Sequence, residues 1–166
     1  MNRTILAAAL CASLAGQAQS AEVYVPLGLG SYHANATREF NEFNPSIGIG
    51  IQSEGDRVRY GAEVGIAYNS YEHWGSYGAV FANVRLAEFD NVSFWGGAFV
   101  GLAEYPNLIN YAEKKGIPTV GDHIMVAGLT GIAEFERFSF VVNVIPFGEA
   151  MSGVAIFKIQ IRIGGN

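Results

Sequence analysis

A histidine and a serine, His33 and Ser70, supply the two residue types that acyl transfer between esters requires. Such chemistry needs a hydroxyl made nucleophilic by a base whose pKa lies near neutrality, and histidine is the usual base. Asn69, beside Ser70, can accept a hydrogen bond from an imidazole, although it cannot stabilise an imidazolium with charge. The plainer alternatives are a rim histidine bonded to loop backbone and an ordinary turn serine. Residue types alone leave both interpretations open.

Other chemistries find little support in the sequence. The only cysteine, Cys11, lies in the N-terminal segment, so the mature chain would have neither a disulfide nor a thiol nucleophile. The three histidines show no metal-ligand spacing. There is no phosphate-binding loop, and we expect no cofactor and no metal. The formal net charge of -5 argues against nucleic acid as a partner.

The elements that must position these residues are strands, because the apolar pattern repeats every two residues. In the last segment one face carries Ala155, Phe157, Ile159, Ile161 and Ile163, and the other carries Lys158, Gln160 and Arg162. A charged face of this kind points outward in a soluble barrel and into the lumen of a membrane barrel. The same split between apolar residues and polar or glycine residues recurs at 47–52 and 59–68.

This alternation predicts eight strands, at 22–32, 46–54, 58–69, 77–86, 92–103, 123–133, 138–146 and 153–163. Short turns at 54–56, 88–91 and 134–136 alternate with longer connections at 33–45, 70–76, 104–122 and 147–152, and no helical stretch is predicted. The fold class predicted is all-β, an eight-stranded antiparallel transmembrane β-barrel with short periplasmic turns and long external loops. His33 and Ser70 would then lie at strand ends on the external rim.

The composition and the N-terminus favour export to a membrane. Half of the 166 residues are apolar and only 15% are charged, which is unusual for a soluble domain. Residues 1–20 have the layout of a cleaved export signal, with Arg3, an uncharged run and a small-residue exit. That run is too short to cross a bilayer as a helix. We therefore predict a signal peptide at 1–20 and one barrel domain at 21–166, a monomer in the outer membrane of a Gram-negative bacterium.

The lumen of an eight-stranded barrel is wide enough for packed side chains or one small ligand, but not for an aqueous channel. The face predicted to point inward is rich in glycine, with Gly28, Gly30, Gly48, Gly50, Gly61 and Gly65. These glycines either relieve strain in a tightly curved barrel or leave a cavity for a ligand. The sequence supports the two interpretations about equally.

Several short motifs resemble the outer-membrane lipid A palmitoyltransferase (PagP) family. They are Val23-Tyr24-Val25-Pro26 followed by Tyr32-His33, Phe40-Asn41-Glu42, Ala67-Tyr68-Asn69-Ser70-Tyr71 with Trp74 shortly after, and Asn143-Val144-Ile145-Pro146-Phe147-Gly148. The resemblance implies an eight-stranded barrel that moves an acyl chain from a phospholipid to lipid A, with these membrane lipids as its partners. It also implies catalytic roles for His33 and Ser70, with Asn69 at the position of the family's aspartate.

The resemblance further implies a role for two prolines, Pro26 and Pro146. In the family, paired prolines mark lateral gaps through which lipid tails pass between membrane and lumen. Proline weakens strand pairing because it has no N–H to donate. The alternative is that each merely ends a strand or sits at a bulge. The chain departs from the family pattern at Asn69, in lacking an amphipathic helix before the first strand, and in ending without an aromatic residue.

Three functions are compatible with these observations. The first is a lipid A or phospholipid acyltransferase that uses His33, Ser70 and Asn69. The second is a non-enzymatic barrel on the same scaffold, whose external loops, such as 104–122, bind a partner or alter the cell surface. The third is a soluble lipocalin-like carrier, against which the charged inward face of the last strand argues.

Overall fold

The computed structural model describes residues 21–146 and 151–164. The predicted signal peptide at 1–20, which includes Cys11, and residues 147–150 of the last predicted loop lie outside the described residues.

The described residues form a closed barrel of eight antiparallel strands. These are β1 (Ala21–Ala34), β2 (Ser46–Ser53), β3 (Val58–Tyr68), β4 (Trp74–Phe89), β5 (Val92–Glu104), β6 (His123–Phe135), β7 (Phe138–Ile145) and β8 (Gly153–Gly164). Each strand pairs with the next one along the chain, and pairing of β1 with β8 closes the cylinder. The prediction of an eight-stranded antiparallel barrel is confirmed.

Three of the connections are shorter than predicted. Strand β4 begins at Trp74, which pairs with Tyr68, so the predicted loop at 70–76 is only a tight turn. The predicted turns at 88–91 and 134–136 shrink to two residues each, 90–91 and 136–137, because the flanking ladders run to their ends. In both turns the first residue has a positive φ, as two-residue hairpin turns require.

The prediction that the connection at 104–122 has no helix is wrong. It contains a 3-10 turn (Pro106–Leu108), a helix α1 (Ile109–Lys114) and a two-residue strand (Thr119–Val120) that pairs with β6. Leu108 and Ala112 are buried against Ile124 of β6, at the mouth of the barrel. A helix of six residues is too short for its apolar spacing to stand out in a sequence. Among the described residues, no helix is long and apolar enough to cross a membrane.

Apolar side chains cover the outer wall, and ionic ones point into the lumen. Ile47, Ile49 and Ile51 are 52%, 53% and 42% exposed, whereas Glu63 and Lys158 are only 4% and 9% exposed. A soluble barrel has the opposite arrangement, because its charged groups gain hydration on the outside. This inside-out distribution, as the sequence predicts, is that of a transmembrane β-barrel.

Exposed aromatic side chains gather near both ends of the outer wall. Phe89, Phe135 and Phe138 flank the two-residue turns, and Tyr32 and Trp74 lie at the opposite end, where Trp74 packs on Tyr68. Aromatic rings favour the boundary between hydrocarbon and headgroups, where both their apolar and polar parts are solvated. These two belts mark the limits of the span that hydrocarbon would cover.

A bulge in β1 changes which residues face the lumen. Gly28 pairs with Lys158 and Gly30 pairs with Phe157, so Leu29 between them has no partner on β8. Because of this extra residue, Gly30 stands on the side of the outward-facing Phe157, and the prediction that it faces inward is wrong. The same shift turns Ser31 and His33 into the lumen, where both are buried. Bulges commonly re-aim side chains in this way beside functional sites.

Two layers of buried ion pairs cross the lumen. At mid-height, Nζ of Lys158 lies 2.8 Å from Oε1 of Glu63. The other carboxylate oxygen of Glu63, Oε2, accepts a hydrogen bond from the hydroxyl of Tyr24. Near the two-residue turns, Glu134 pairs with both Arg59 and Arg162. These layers satisfy the charges that the inside-out pattern places in the barrel.

The ionic layer near the two-residue turns, called the lower ionic layer from here on, also contains a buried tryptophan. Trp95 is 1% exposed, and the guanidinium carbons of Arg59 and Arg85 lie 3.9 and 4.9 Å from its ring centroid. Arg162 reaches on to Glu22 at 3.3 Å. The end of the barrel that carries the short turns is therefore filled by side chains, which agrees with the predicted absence of an aqueous channel.

Candidate functional site

A cavity of about 240 Å³ occupies the lumen from the level of Glu63 and Lys158 toward the end that carries the longer connections. Apolar side chains line it, among them Phe81, Phe99, Val126, Val141, Ile145 and Ile156. Polar side chains line it too, among them Ser31, His33, Ser46, Glu63 and Asn69. A cavity lined by both kinds of side chain can hold a hydrocarbon segment and a polar group at the same time.

The inward glycines do not create this cavity. A Cβ at Gly50 would lie 2.1 Å from the ring of Tyr24, and one at Gly65 would lie 2.8 Å from the ring of Tyr77. Aromatic side chains therefore fill the space that these glycines leave. The cavity interpretation does not hold for Gly50 and Gly65, where the missing Cβ makes room for an aromatic ring. Strain relief in the curved sheet stays a prediction.

His33 lies near the end of β1, and its side chain is 3% exposed. Its ring stacks on Phe40 with centroids 4.4 Å apart and planes 13° apart. Its Nδ1 is buried without a hydrogen-bond partner among the described residues, and the closest carboxylate atom is Oε1 of Glu42 at 3.9 Å. The imidazole is thus fixed by packing, with one nitrogen beside a carboxylate.

Ser70 lies in the turn between β3 and β4 and lines the same cavity as His33. Its carbonyl accepts a hydrogen bond from the backbone N–H of Asn41 at 3.3 Å, which ties this turn to the first long loop. Within the described part of the chain, no hydrogen bond joins the Ser70 hydroxyl to His33. The two residues therefore line one cavity without a hydrogen bond between their side chains.

Asn69 is buried and acts as the cap of the turn that carries Ser70. Its Oδ1 accepts hydrogen bonds from the backbone N–H groups of Tyr71 and His73, at 3.0 and 3.2 Å. Its Nδ2 donates to the carbonyl oxygen of Glu104 at 3.5 Å. This is the local bonding pattern that asparagine favours in turns. The amide oxygen that would orient an imidazole is engaged by two backbone donors.

We expect Asn69→Ala to lower the free energy of unfolding by about 1–2 kcal/mol, because two backbone donors of the turn lose their partly buried acceptor. Urea unfolding of the barrel in detergent micelles measures this loss. Asn107→Ala removes an exposed amide and should change the free energy by less than about 0.5 kcal/mol. An equal effect of the two substitutions would contradict the capping role of Asn69.

The two prolines lie beside interruptions of the strand ladder. β1 pairs with β2 at Tyr24 and again at Leu27, but not at the two residues between them, of which Pro26 is one. Pro146 directly follows β7, and the ladder between β6 and β7 ends at the pair Leu129 and Val144. Beyond that pair β6 continues to His123 without β7 beside it. Both sites therefore have fewer backbone hydrogen bonds between neighbouring strands.

An aromatic cluster lies at the loop end of the cavity, and the sequence analysis did not predict it. Tyr71 contacts the rings of Phe40 and Tyr105 edge-on, at 5.7 and 5.8 Å between centroids, and the guanidinium of Arg38 lies 4.9 Å from Phe40 and from Tyr71. Burial raises the pKa of the Tyr105 hydroxyl to about 12, so this side chain stays neutral. Three separate loops meet here, and their meeting depends on the barrel register.

A second polar cluster, formed by Ser76, Glu104 and His123, joins β4, β5 and β6 at the same end. Oε2 of Glu104 lies 2.9 Å from both the backbone nitrogen and the hydroxyl of Ser76, and Nε2 of His123 lies 2.9 Å from that hydroxyl. Since the Ser76 hydroxyl donates its single proton to the carboxylate, Nε2 of His123 must be the donor to Ser76. Because Nε2 carries the donated proton, His123 is a poor base for Ser76. The cluster instead holds the three strands together.

No protein-family model matches the chain, and no curated protein matches it. Among solved structures, the chain is similar to the outer membrane protein Ail of Yersinia pestis in a phospholipid bilayer nanodisc. The two chains are 11% identical over 86% of this chain and 99% of that chain, with a TM-score of 0.41. The architecture stated here rests on the strand ladder and on the inside-out distribution of charge: this chain is an eight-stranded transmembrane β-barrel.

Proposed function

We propose that this protein is an outer-membrane acyltransferase that moves an acyl chain from a phospholipid to lipid A, with His33 as the base and Ser70 as its partner. The observation that carries the proposal is that His33 and Ser70 line one cavity that is also lined by many apolar side chains. Acyl transfer requires both parts, because a base must meet an ester while the attached hydrocarbon tail is held.

The apolar part of the lining offers a hydrocarbon tail an environment similar to the bilayer core. A methylene left in water would cost about 0.8 kcal/mol relative to an apolar surface. A tail that comes from the bilayer core already lies in hydrocarbon, so the cavity needs only to solvate the tail as well as the bilayer does. Phe81, Phe99, Val126 and Val141 give the tail such a surface. Glu63 and Lys158, which form an ion pair, line the same cavity.

The reaction needs only groups of this chain and its two lipids. His33 takes the proton of a hydroxyl, that of Ser70 or of the acceptor lipid, as the oxygen attacks the ester carbonyl of the donor. The bond between the acyl carbon and the donor's glycerol oxygen breaks, and the protonated imidazole returns the proton to that oxygen. A lysophospholipid and an acylated acceptor result. If Ser70 carries the acyl group first, the same two steps occur twice.

The interrupted ladder supports a lateral path for the lipid tails. A tail bound to a headgroup at the rim must pass between two strands to leave the bilayer, and fewer backbone hydrogen bonds oppose it where pairing stops. Pro26 and Pro146 lie at such places. We propose both as access points. A disulfide that joins β6 to β7 just beyond the last ladder pair, Leu129 and Val144, should therefore slow acyl transfer until the disulfide is reduced.

The decisive test is mass spectrometry of lipid A from Gram-negative cells that express the full chain, beside cells with the empty vector. We expect lipid A that is heavier by one acyl chain, together with a lysophospholipid in equal amount. Fractionation of the envelope should recover the barrel with the outer membrane. A barrel that is folded in that fraction but leaves lipid A unchanged would remove the enzymatic function and favour the non-enzymatic barrel with partner-binding loops.

A further inference from the structure

The last part of β1, which leads to the longer connections, has no neighbouring strand on the side where β2 pairs with its first part. Pairing with β2 ends at Gly28, although β1 continues to Ala34. A segment of the first loop takes the place of the missing strand. The carbonyl of Glu42 accepts a hydrogen bond from the Ser31 N–H at 2.8 Å, and the Ser31 hydroxyl donates to the side chain of Asn44. The loop is therefore docked on the strand that carries His33.

Close packing at Gly30 fixes this docking. A Cβ on Gly30 would lie 2.6 Å from the carbonyl oxygen of Glu42, a distance that real Cβ atoms do not adopt. Any larger residue would displace the loop segment from β1. The bulge at Leu29 and the glycine after it thus place Glu42 opposite the two inward residues, Ser31 and His33.

The side chain of Glu42 then reaches His33 twice. Its Oε1 lies 3.5 Å from the backbone nitrogen of His33, which donates to it, and 3.9 Å from the buried Nδ1. Phe40 covers the ring face on the same loop. Glu42 itself is 53% exposed, so water reaches its carboxylate from outside the site. No other carboxylate of the described residues forms a hydrogen bond or an ion pair with His33.

We infer that Glu42, rather than Asn69, is the positioning residue for His33: its carboxylate holds the proton of the imidazole on Nδ1 and leaves the lone pair on Nε2. A carboxylate at one ring nitrogen is what makes the other an effective base, because it fixes the tautomer and compensates the charge of the imidazolium. The catalytic part of this role rests on the proposed function. The contact itself does not.

Glu42 also removes the difficulty that Asn69 raises for catalysis. An amide at the third position would leave the imidazolium without a compensating charge, a change that costs about 10⁴-fold in turnover in serine proteases. With Glu42 in that role, the loss of the family's aspartate at position 69 does not imply an inactive protein. Asn69 then serves the turn that presents Ser70.

Nitrogen NMR of the barrel labelled with [15N]histidine tests the contact directly, since the two ring nitrogens report which of them carries the proton. The signals of His33 are assigned by comparison with His33→Ala. At a pH where the ring is neutral, we expect the proton on Nδ1 in the wild-type chain and on Nε2 in Glu42→Ala. Glu39→Ala, which removes another exposed carboxylate of the same loop, should leave it on Nδ1. An unchanged tautomer in folded Glu42→Ala overturns the inference.

The rate of acyl transfer by the purified barrel, in mixed micelles of phospholipid and lipid A, supplies the second readout. Glu42→Ala should lower kcat by about 10²-fold or more with little change in KM, and Glu42→Asp should restore part of the loss. If the wild-type chain does not modify lipid A, the proposed function fails, while the tautomer still decides whether Glu42 positions His33. If the tautomer changes but kcat does not, the contact stands and its catalytic role is overturned.

Discussion

Replacing His33 with alanine is expected to reduce acyl transfer to lipid A by about 10²–10⁴-fold, the usual contribution of a general base. His33 is buried at the mouth of the cavity, and its ring contacts Phe40 and lies beside Glu42. The measurement is the initial rate of acyl transfer by purified barrel in mixed micelles of phospholipid and lipid A, at equal amounts of folded protein.

Two companion variants sharpen this result. Ser70→Ala should cause a loss of similar size if Ser70 carries the acyl group, and a smaller one if it only positions the acceptor hydroxyl. His73→Ala is the matched control, because His73 is an exposed histidine of the same turn whose backbone, not its ring, accepts the hydrogen bond from Asn69. Equal losses in His33→Ala and His73→Ala would rule out His33 as the base.

The second large effect concerns the fold. Glu134→Ala should lower the free energy of unfolding by about 3–5 kcal/mol, because it leaves two arginines without their shared carboxylate in the lumen. Arg59 and Arg162 both pair with Glu134, whose side chain is 13% exposed. Arg162 keeps its contact with Glu22, but among the described residues Arg59 keeps only the face of Trp95. Urea unfolding, followed by the tryptophan fluorescence, measures the change.

A surface ion pair at the same end of the barrel is the control. Arg85 and Glu88 lie 2.6 Å apart, with Glu88 54% exposed, so Glu88→Ala should cost less than about 1 kcal/mol. Similar losses in Glu88→Ala and Glu134→Ala would show that the lower ionic layer does not hold the barrel together. A lower unfolding slope for Glu134→Ala would instead indicate a partly opened native state.

Period-two alternation was enough to predict the barrel because every strand buries one face and exposes the other. Lys158 and Gln160 face the lumen and Ile47 to Ile51 alternate outward, as the sequence indicates. The rule failed at Leu29, where a bulge adds one residue and reverses the alternation. Nothing in Gly28-Leu29-Gly30 distinguishes a bulge from a regular strand, since the choice depends on the partner strand and on the docked loop.

The site was predicted less completely than the fold. His33 and Ser70 were identified by residue type and by resemblance, and they line one cavity. Glu42 was not given a role, because its contact with His33 depends on the path of a loop that pairs with β1. The aromatic cover of Tyr71 and Tyr105 joins residues 34 positions apart, which only the closed barrel brings together. Such contacts follow from register, which short motifs do not encode.

The filled lower end of the barrel has a consequence for the sidedness of any reaction inside it. Glu134, its two arginines and Trp95 occupy the cross-section near the two-residue turns. Because this end is filled, the chamber above it meets solvent at the opposite rim and meets the bilayer at the lateral gaps proposed at Pro26 and Pro146. A water-soluble group can therefore approach a reaction inside the barrel from one membrane face only.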